Sequence, residues 1–327
     1  MKAIRILEYG ESDQMELSDV ERPSRASEEL LVRVEYTALN RADILQREGH
    51  YPAPPGIRDD IPGLEYGGVV EEVGNQTRRF EVGDRVFGLT PGASYAEYLV
   101  VREDQCMPVP ESLSLKEASA IPEVFFTAYD ALVLQGNLTA GESVLIHAAG
   151  SGVGTAAVQI ARVTGAKRIF GTASKRKLEK ASELGMDVGI DYRNTRFEDV
   201  IDQEQPGGVQ IILDVIGAEY WDQNIECLTE KGRMILVGLL GGARTEVDLS
   251  QILFGRARIM GTTMRNRRPS EKAEVLRKFE DRILPLFEQG RIKPVIDREF
   301  SLKDASDAHR YMEANKNIGK IVLSVNH

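Results

Sequence analysis

The sequence predicts an α/β protein, a Rossmann-type doubly wound parallel sheet joined to a compact, barrel-like β domain. Three observations lead there. From Met1 to about Pro122, short β-rich runs ("KAIRILEY", "ELLVRVEYTAL", "GGVVEEVG", "DRVFGL", "SYAEYLVV") alternate with Gly, Pro, Asp and Ser clusters. From about Glu123 the rhythm changes to strand, turn, helix, repeated for about six strands. Three glycines, Gly150, Gly152 and Gly154, sit where the first strand of that series meets its first helix.

In chain order, the second region reads "SVLIH" as a strand and "TAAVQIARVTGA" as a helix. Then come "RIFGTA", the helix "KRKLEKASELG", "DVGIDY", "VQIILDV", the helix "AEYWDQNIECLTEKG", "RMILVG" and "RIMGTTM". Leu178, Ala181 and Leu184 give the second helix an apolar stripe, and Gly185 stops it. Toward the C-terminus, "DASDAHRYMEANKN" reads as a helix and "GKIVLSV" as a strand that returns to the first domain. The expected division is therefore residues 1–122 with 290–327, and residues 123–289. One long connection, "NRADILQREGHYPAPPGIRDDIPG", interrupts the β region; long loops in compact domains often carry function.

Bulk properties narrow the function. A chain of 327 residues has room for two cores. A net charge of −10 argues against a broad nucleic-acid or anionic-membrane surface, which needs positive charge over a large face. Two distant cysteines, Cys106 and Cys227, make neither a disulfide framework nor a four-cysteine zinc site. The N-terminus turns polar too soon for a signal peptide, and no apolar run reaches membrane-spanning length. A soluble cytoplasmic protein is the expectation. The four histidines, at 50, 147, 309 and 327, are scattered and assemble no site by spacing.

At a strand-to-helix turn, backbone N–H groups and the helix dipole attract a pyrophosphate, and absent side chains let it approach. The spacing Gly150-Ser151-Gly152-Val153-Gly154 is not the full fingerprint, so the surrounding alternation carries the dinucleotide reading. An NAD site calls for an acid about 20 residues on, to accept the ribose hydroxyls. Here the next strand ends in Ser174, Lys175, Arg176 and Lys177. Three cations opening a helix oppose its dipole, which suggests a ligand anion, and the adenosine 2′-phosphate fits. Tyr192, after the third strand, is a further candidate for that phosphate. A solvated basic face is the alternative. The expected cofactor is NADPH.

Together these pieces resemble the medium-chain dehydrogenase/reductase superfamily, essentially end to end. Within it the sequence looks like the zinc-free, zeta-crystallin-like NADPH:quinone oxidoreductases. The stretches "ALNRADILQREGHYPAPPG", "HAAGSGVGTAAVQIA" and "YMEANKNIGKIVL" point to the p53-inducible quinone oxidoreductase subgroup. The resemblance implies a GroES-like β-barrel-type domain beside the Rossmann domain, with the reaction in a cleft between them. The zinc-bearing branch has a ligating Cys where this chain has Asn40, and a ligating His where it has Leu64. An amide and an aliphatic cannot replace a thiolate and an imidazole around Zn²⁺, so no metal is expected.

Without a metal, the acceptor must supply its own electron demand, and a quinone does. The protein then places the nicotinamide and steadies the developing oxyanion. Asn40 is a candidate for hydrogen bonding the nicotinamide region or the acceptor oxygen, or else a turn-forming side chain. Tyr51 offers an aromatic face and a phenol, or else simple packing. Ser151 projects a hydroxyl between the glycines. The resemblance places Tyr51 and Ser151 at the active site. It also places Thr127, Asp214, Val215, Gly217, Gly238, Leu239 and Asn317 around the cofactor. Asp214 orients a loop below the ribose, or else caps its strand. Arg265, Arg267 and Arg268 read as a solvated connection.

Two other functions compete. One is an NADPH-dependent 2-enoyl reductase of activated alkenes, which must protonate a carbon and needs a placed acid. The other is a non-catalytic NADPH-binding structural or RNA-binding protein, which the acidic balance counts against. The resemblance also implies a homodimer, or a tetramer built from it, with "RARIMGTTM" as the pairing edge.

Overall fold

The computed structural model describes residues 1–325. The fourth histidine, His327, lies outside them. The chain divides into two compact units, one made of Met1–Phe126 with Met264 onward, the other of Thr127–Thr263. The sequence placed these changes near 122 and 290. The second falls earlier because the helices Pro269–Arg282 and Leu284–Glu288 belong to the first unit: Phe279 packs edge-on to Phe126 at 4.5 Å and Phe287 to Phe125 at 4.9 Å.

The first unit is built on a seven-stranded sheet. Its order runs Ile296–Ser301, Lys320–Ser324, Glu29–Ala38, Glu65–Val73, Arg85–Leu89 and Cys106–Pro108, with Tyr98–Arg102 also paired to Glu29–Ala38. A hairpin, Lys2–Ile6 with Met15–Asp19, stands beside it. Alternating apolar residues of the long strand, Leu30, Val32 and Val34, are buried with Ile4, Tyr66, Val86, Tyr95 and Ile321. The C-terminal strand pairs antiparallel to Glu29–Ala38, Val322 opposite Ala38, and so delivers residues 317–320 beside residues 38–40.

The long connection after Ala38 is not all loop. It opens as the helix Arg41–Arg47, with Asp43 Oδ2 accepting from the Asn40 N–H at 2.8 Å in the first turn. The remainder, to Gly63, is the irregular part.

The second unit is a six-stranded parallel sheet. In order of sequence its strands are Ser143–Ile146, Arg168–Ala173, Val188–Asp191, Val209–Asp214, Leu228–Leu236 and Arg258–Gly261. Counted one to six, they lie side by side as 3-2-1-4-5-6, the order of a Rossmann sheet, with its switch point between the first and fourth strands. The expected helix 218–232 is shorter, Trp221–Cys227, because the chain from Leu228 already pairs with Val209. Leu145, Phe170, Ile190, Ile212 and Met234 fill the core of this sheet. Near-continuous apolar strands are what a parallel sheet covered on both faces requires.

Candidate active site

In the second unit, the candidate residues gather beyond the carboxyl ends of the strands, where open α/β sheets bind ligands. The helix Gly152–Thr164 follows the first strand with Ser151 as its N-cap; the Ser151 hydroxyl oxygen accepts from the Gly154 N–H at 3.0 Å. The N–H groups of Gly152 and Val153 have no hydrogen-bond partner among the described residues, so two donors at a helix N-terminus remain for an anion. A Cβ at Gly154 would stand 2.2 Å from the Ala148 carbonyl, so only glycine lets this helix start so close to the loop. A Cβ at Gly150 would meet the Lys177 side chain at 2.6 Å; Lys177 thus lies across the glycine loop.

Ser174 caps the next helix, Lys175–Glu183, with no side-chain hydrogen bond, leaving its hydroxyl unspent. Lys175 is exposed and forms no ion pair among the described residues, opposite the dipole preference of its position. Tyr192 is half-exposed just past the third strand.

The fourth strand ends in Asp214, which ties down the turn after it. Its Oδ1 accepts from the Ile216 N–H at 2.6 Å and the Gly217 N–H at 3.1 Å, and its Oδ2 from Asn224 Nδ2 at 3.1 Å. Burial pushes the Asp214 carboxyl up to about 6, against those backbone donors. Asp214 therefore ends the strand and fixes the Val215–Gly217 turn that follows it. Gly217 has φ +83°, and a Cβ there would meet the Gly242 carbonyl at 2.7 Å. Two backbone hydrogen bonds tie this loop to the one holding Gly238 and Leu239: Leu240 N–H donates to Val215 O at 3.1 Å and Gly241 N–H to Ile216 O at 2.7 Å.

Sequence reasoning missed a buried relay beneath these loops. His147 bonds Thr172 Oγ1 through Nδ1 at 2.9 Å and Asn224 Oδ1 through Nε2 at 2.6 Å, and Asn224 continues to Asp214. It links the ends of the first, second and fourth strands. Burial lowers the His147 imidazole to about 4, so it is neutral at pH 7. The strand-end position of "SVLIH" was its only sequence signal.

In the first unit, Asn40 is buried, and its amide is already engaged. Nδ2 donates to Glu65 Oε1 at 2.8 Å, and Oδ1 accepts from Lys320 Nζ at 2.6 Å. Lys320 Nζ also lies 2.6 Å from Glu65 Oε1 and donates to the Leu39 carbonyl at 2.6 Å. Asn40 is thus the bridge of a buried ion pair, a use that the sequence did not suggest. Nearby, Asp43 accepts from the Gly63 N–H and from Tyr95, whose hydroxyl also meets His309 Nε2 at 3.3 Å. Burial lowers His309 to about 3 and raises Asp43 to about 6.

Tyr51 is half-buried, with the Arg265 guanidinium 5.0 Å above its ring. Burial first, and then the Glu123 carboxylate, raise the Tyr51 phenol. Arg265 is not part of a solvated connection: it is buried and donates to Gln46 Oε1 at 2.7 Å, Pro91 O at 2.8 Å and Tyr51 O at 2.9 Å. Arg268 is exposed as expected. Asn317 is buried and donates to Gly319 O at 2.8 Å, shaping the turn before Lys320. Thr127 is buried on the helix Pro122–Tyr129.

The strand order and the glycine turn give the second unit the architecture of a Rossmann dinucleotide-binding unit. Comparison makes the assignment specific. Residues 26–111 match the alcohol dehydrogenase GroES-like domain and residues 152–281 the zinc-binding dehydrogenase family. The chain is 31% identical to the quinone oxidoreductase of Mus musculus, over 99% of this chain and 97% of that one. It is equally 31% identical to the synaptic vesicle membrane protein VAT-1 homolog of Homo sapiens, over 99% and 86%. The fold matches that of the Escherichia coli quinone oxidoreductase complexed with NADPH at a TM-score of 0.90 and 24% identity, over 99% of this chain and all of that one. The chain belongs to the medium-chain dehydrogenase/reductases, in their zinc-free, quinone-oxidoreductase-like branch.

The residues present do not fit the zinc held by zinc-binding dehydrogenases. The Lys320 ammonium already holds Asn40 Oδ1 and Glu65 Oε1, and Leu64 offers no donor atom. Among the described residues, no group of three or more His, Cys, Asp or Glu is arranged to hold a metal ion. Cys106 and Cys227 are both free and buried. No helix among the described residues is long and apolar enough to cross a membrane.

Proposed function

We propose that this chain is an NADPH-dependent quinone oxidoreductase that works without a metal. The observation that carries the reading is the pairing of two open N–H groups at Gly152 and Val153 with a basic, acid-free strand end at Ser174–Lys177. The first suits a pyrophosphate and the second a 2′-phosphate. NADPH, when bound, supplies the hydride. Gly150 to Gly154 receive its pyrophosphate, Ser174, Lys175 and Tyr192 its 2′-phosphate, and Asp214 holds Val215 and Gly217 in place beside the ribose. Thr127, Gly238, Leu239, Asn40 and Asn317 complete the cofactor contacts in this reading. Tyr51 and Ser151 attend the acceptor, Tyr51 held by Arg265 and Ser151 through its hydroxyl hydrogen, since its oxygen is committed to Gly154.

The test is anaerobic oxidation of NADPH against NADH by metal-stripped protein, with a panel of quinones and an enoyl thioester. NADPH oxidation by quinones that survives chelation supports the reading, and Lys175→Ala should raise the KM for NADPH about tenfold or more while leaving NADH use unchanged. A strong NADH preference overturns the cofactor assignment. Faster turnover of the enoyl thioester makes the chain an alkene reductase instead.

We also infer a cytoplasmic homodimer with no nucleic-acid partner. Arg258–Gly261 is the open edge of the parallel sheet, and Leu249, Leu253 and Phe254 stand exposed on the preceding helix. An uncovered edge with apolar neighbours suits pairing with a second copy. Sedimentation as a monomer at micromolar concentration would overturn this.

A further inference from the structure

Three carboxyl groups are drawn together in the first unit: Asp43, Glu65 and Glu123. Asp43 and Glu65 are fully buried, and the oxygens of both are spent. Asp43 accepts from Asn40, Gly63 and Tyr95. Glu65 accepts from Asn40 and Lys320 on one oxygen and from the Glu123 backbone N–H, at 2.8 Å, on the other. Glu123 differs. Its side chain makes no hydrogen bond or ion pair among the described residues, and it alone of the three keeps a partial opening to solvent. The groups that act on it electrostatically are Glu65, Asp43 and Tyr51 on the acidic side and Lys320, Lys272 and Arg265 on the basic side.

We propose that Glu123 is the proton donor of the reduction, a role that rests on the quinone reading above. Hydride transfer converts the quinone into a hydroquinone anion. The Glu123 O–H bond breaks, its proton forms a new O–H bond on that anion, and the carboxylate left behind recovers a proton from solvent. One hydride and one proton are consumed for each quinone reduced.

The chemistry of the alternatives favours this residue. The Tyr51 phenol is raised, which makes it a weak acid at neutral pH. Asp43 and Glu65 have neither a free oxygen nor a path for reprotonation. Burial and the neighbouring Glu65 carboxylate push Glu123 up to about 8, in spite of Lys320 and Lys272, so it carries its proton at pH 7.

The test uses Glu123→Gln and Glu123→Asp in the full-length protein, with two acceptors. One is an alkyl quinone whose hydroquinone is a weak acid; the other is a halogenated quinone whose hydroquinone anion is stable in neutral water. Glu123→Gln should lower kcat about a hundredfold with the alkyl quinone and by less than about threefold with the halogenated one, while Glu123→Asp recovers part of the loss. Difference infrared spectroscopy should show a protonated carboxyl lost as pH rises through about 8 in the unmodified protein and missing from Glu123→Gln. Equal losses with both quinones, or no such carboxyl, would overturn the proposal alone. No NADPH oxidation with any quinone by the unmodified protein would overturn the functional reading and the proposal together.

Discussion

Lys320 and Glu65 form an ion pair with Nζ 2.6 Å from Oε1, and their side chains are 3% and 0% exposed. Both charges have left water, a cost of several kcal/mol per ion that only good geometry offsets. Asn40 and the Leu39 carbonyl supply that geometry by filling the remaining valences. Lys320→Met should therefore destabilise the protein by about 3–5 kcal/mol, because it strands a buried carboxylate. The double variant Lys320→Met/Glu65→Gln should cost distinctly less than the two single losses summed. Urea unfolding of the four proteins measures this coupling, and strict additivity would contradict it.

Arg265 gathers three segments through one guanidinium: Gln46 on the helix Arg41–Arg47, the Tyr51 carbonyl and the Pro91 carbonyl. A lysine keeps the charge but cannot present a planar fork to three acceptors. Arg265→Lys should cost about 1–3 kcal/mol and speed amide exchange through residues 51–60. Mass-resolved hydrogen exchange is the measurement. Unchanged protection in that stretch would show that Arg265 does not hold the loop carrying Tyr51.

These two clusters mark where the sequence was silent. The parallel sheet was legible because strand and helix periods alternate and each turn carries its own punctuation, from Gly150 to Gly185. The loops at the carboxyl ends of those strands were legible because their positions follow from strand order. The Asn40–Glu65–Lys320 cluster was not, since its members lie up to 280 residues apart and meet only when the C-terminal strand pairs beside Glu29–Ala38. Arg265 was misread because a run of three nearby arginines has the texture of a solvated face, and burial of one of them is a tertiary property. The expected helix 218–232 overran past Cys227 because Leu228 suits either state locally, and pairing with Val209 decided between them.

Ser151 caps a helix and, in the proposed function, attends the acceptor, and a pair of substitutions can separate the two roles. Its oxygen caps the helix Gly152–Thr164, worth about 1 kcal/mol against alanine but only a few tenths against glycine. Ser151→Ala should therefore lower the melting temperature by a few degrees and Ser151→Gly hardly at all. If the hydroxyl also serves the acceptor, both variants should lose quinone turnover to a similar degree. Turnover that tracks stability across the pair would reduce Ser151 to a cap.

His147 ties the stability of the second unit to pH. Its folded value, about 4, lies below the ordinary value of 6.5, so the unfolded chain binds the extra proton first as pH falls. The contribution of His147 is complete above about 6.5 and is lost progressively as pH drops toward 4, by at most about 3 kcal/mol. Asp43 and Asp214, both raised to about 6, act in the opposite sense, since their burial favours the protonated form and stabilises toward low pH. Overall stability therefore mixes signs, and the comparison must be with a variant lacking only the imidazole. His147→Gln keeps a hydrogen-bonding side chain beside Thr172 and Asn224 but does not titrate. It should be less stable than the parent at pH 7, and the gap should narrow steadily between about pH 6.5 and 4 as the parent loses what the variant never had. Chemical unfolding at several pH values measures that gap. A gap constant across the range would mean that His147 is not held neutral by the fold.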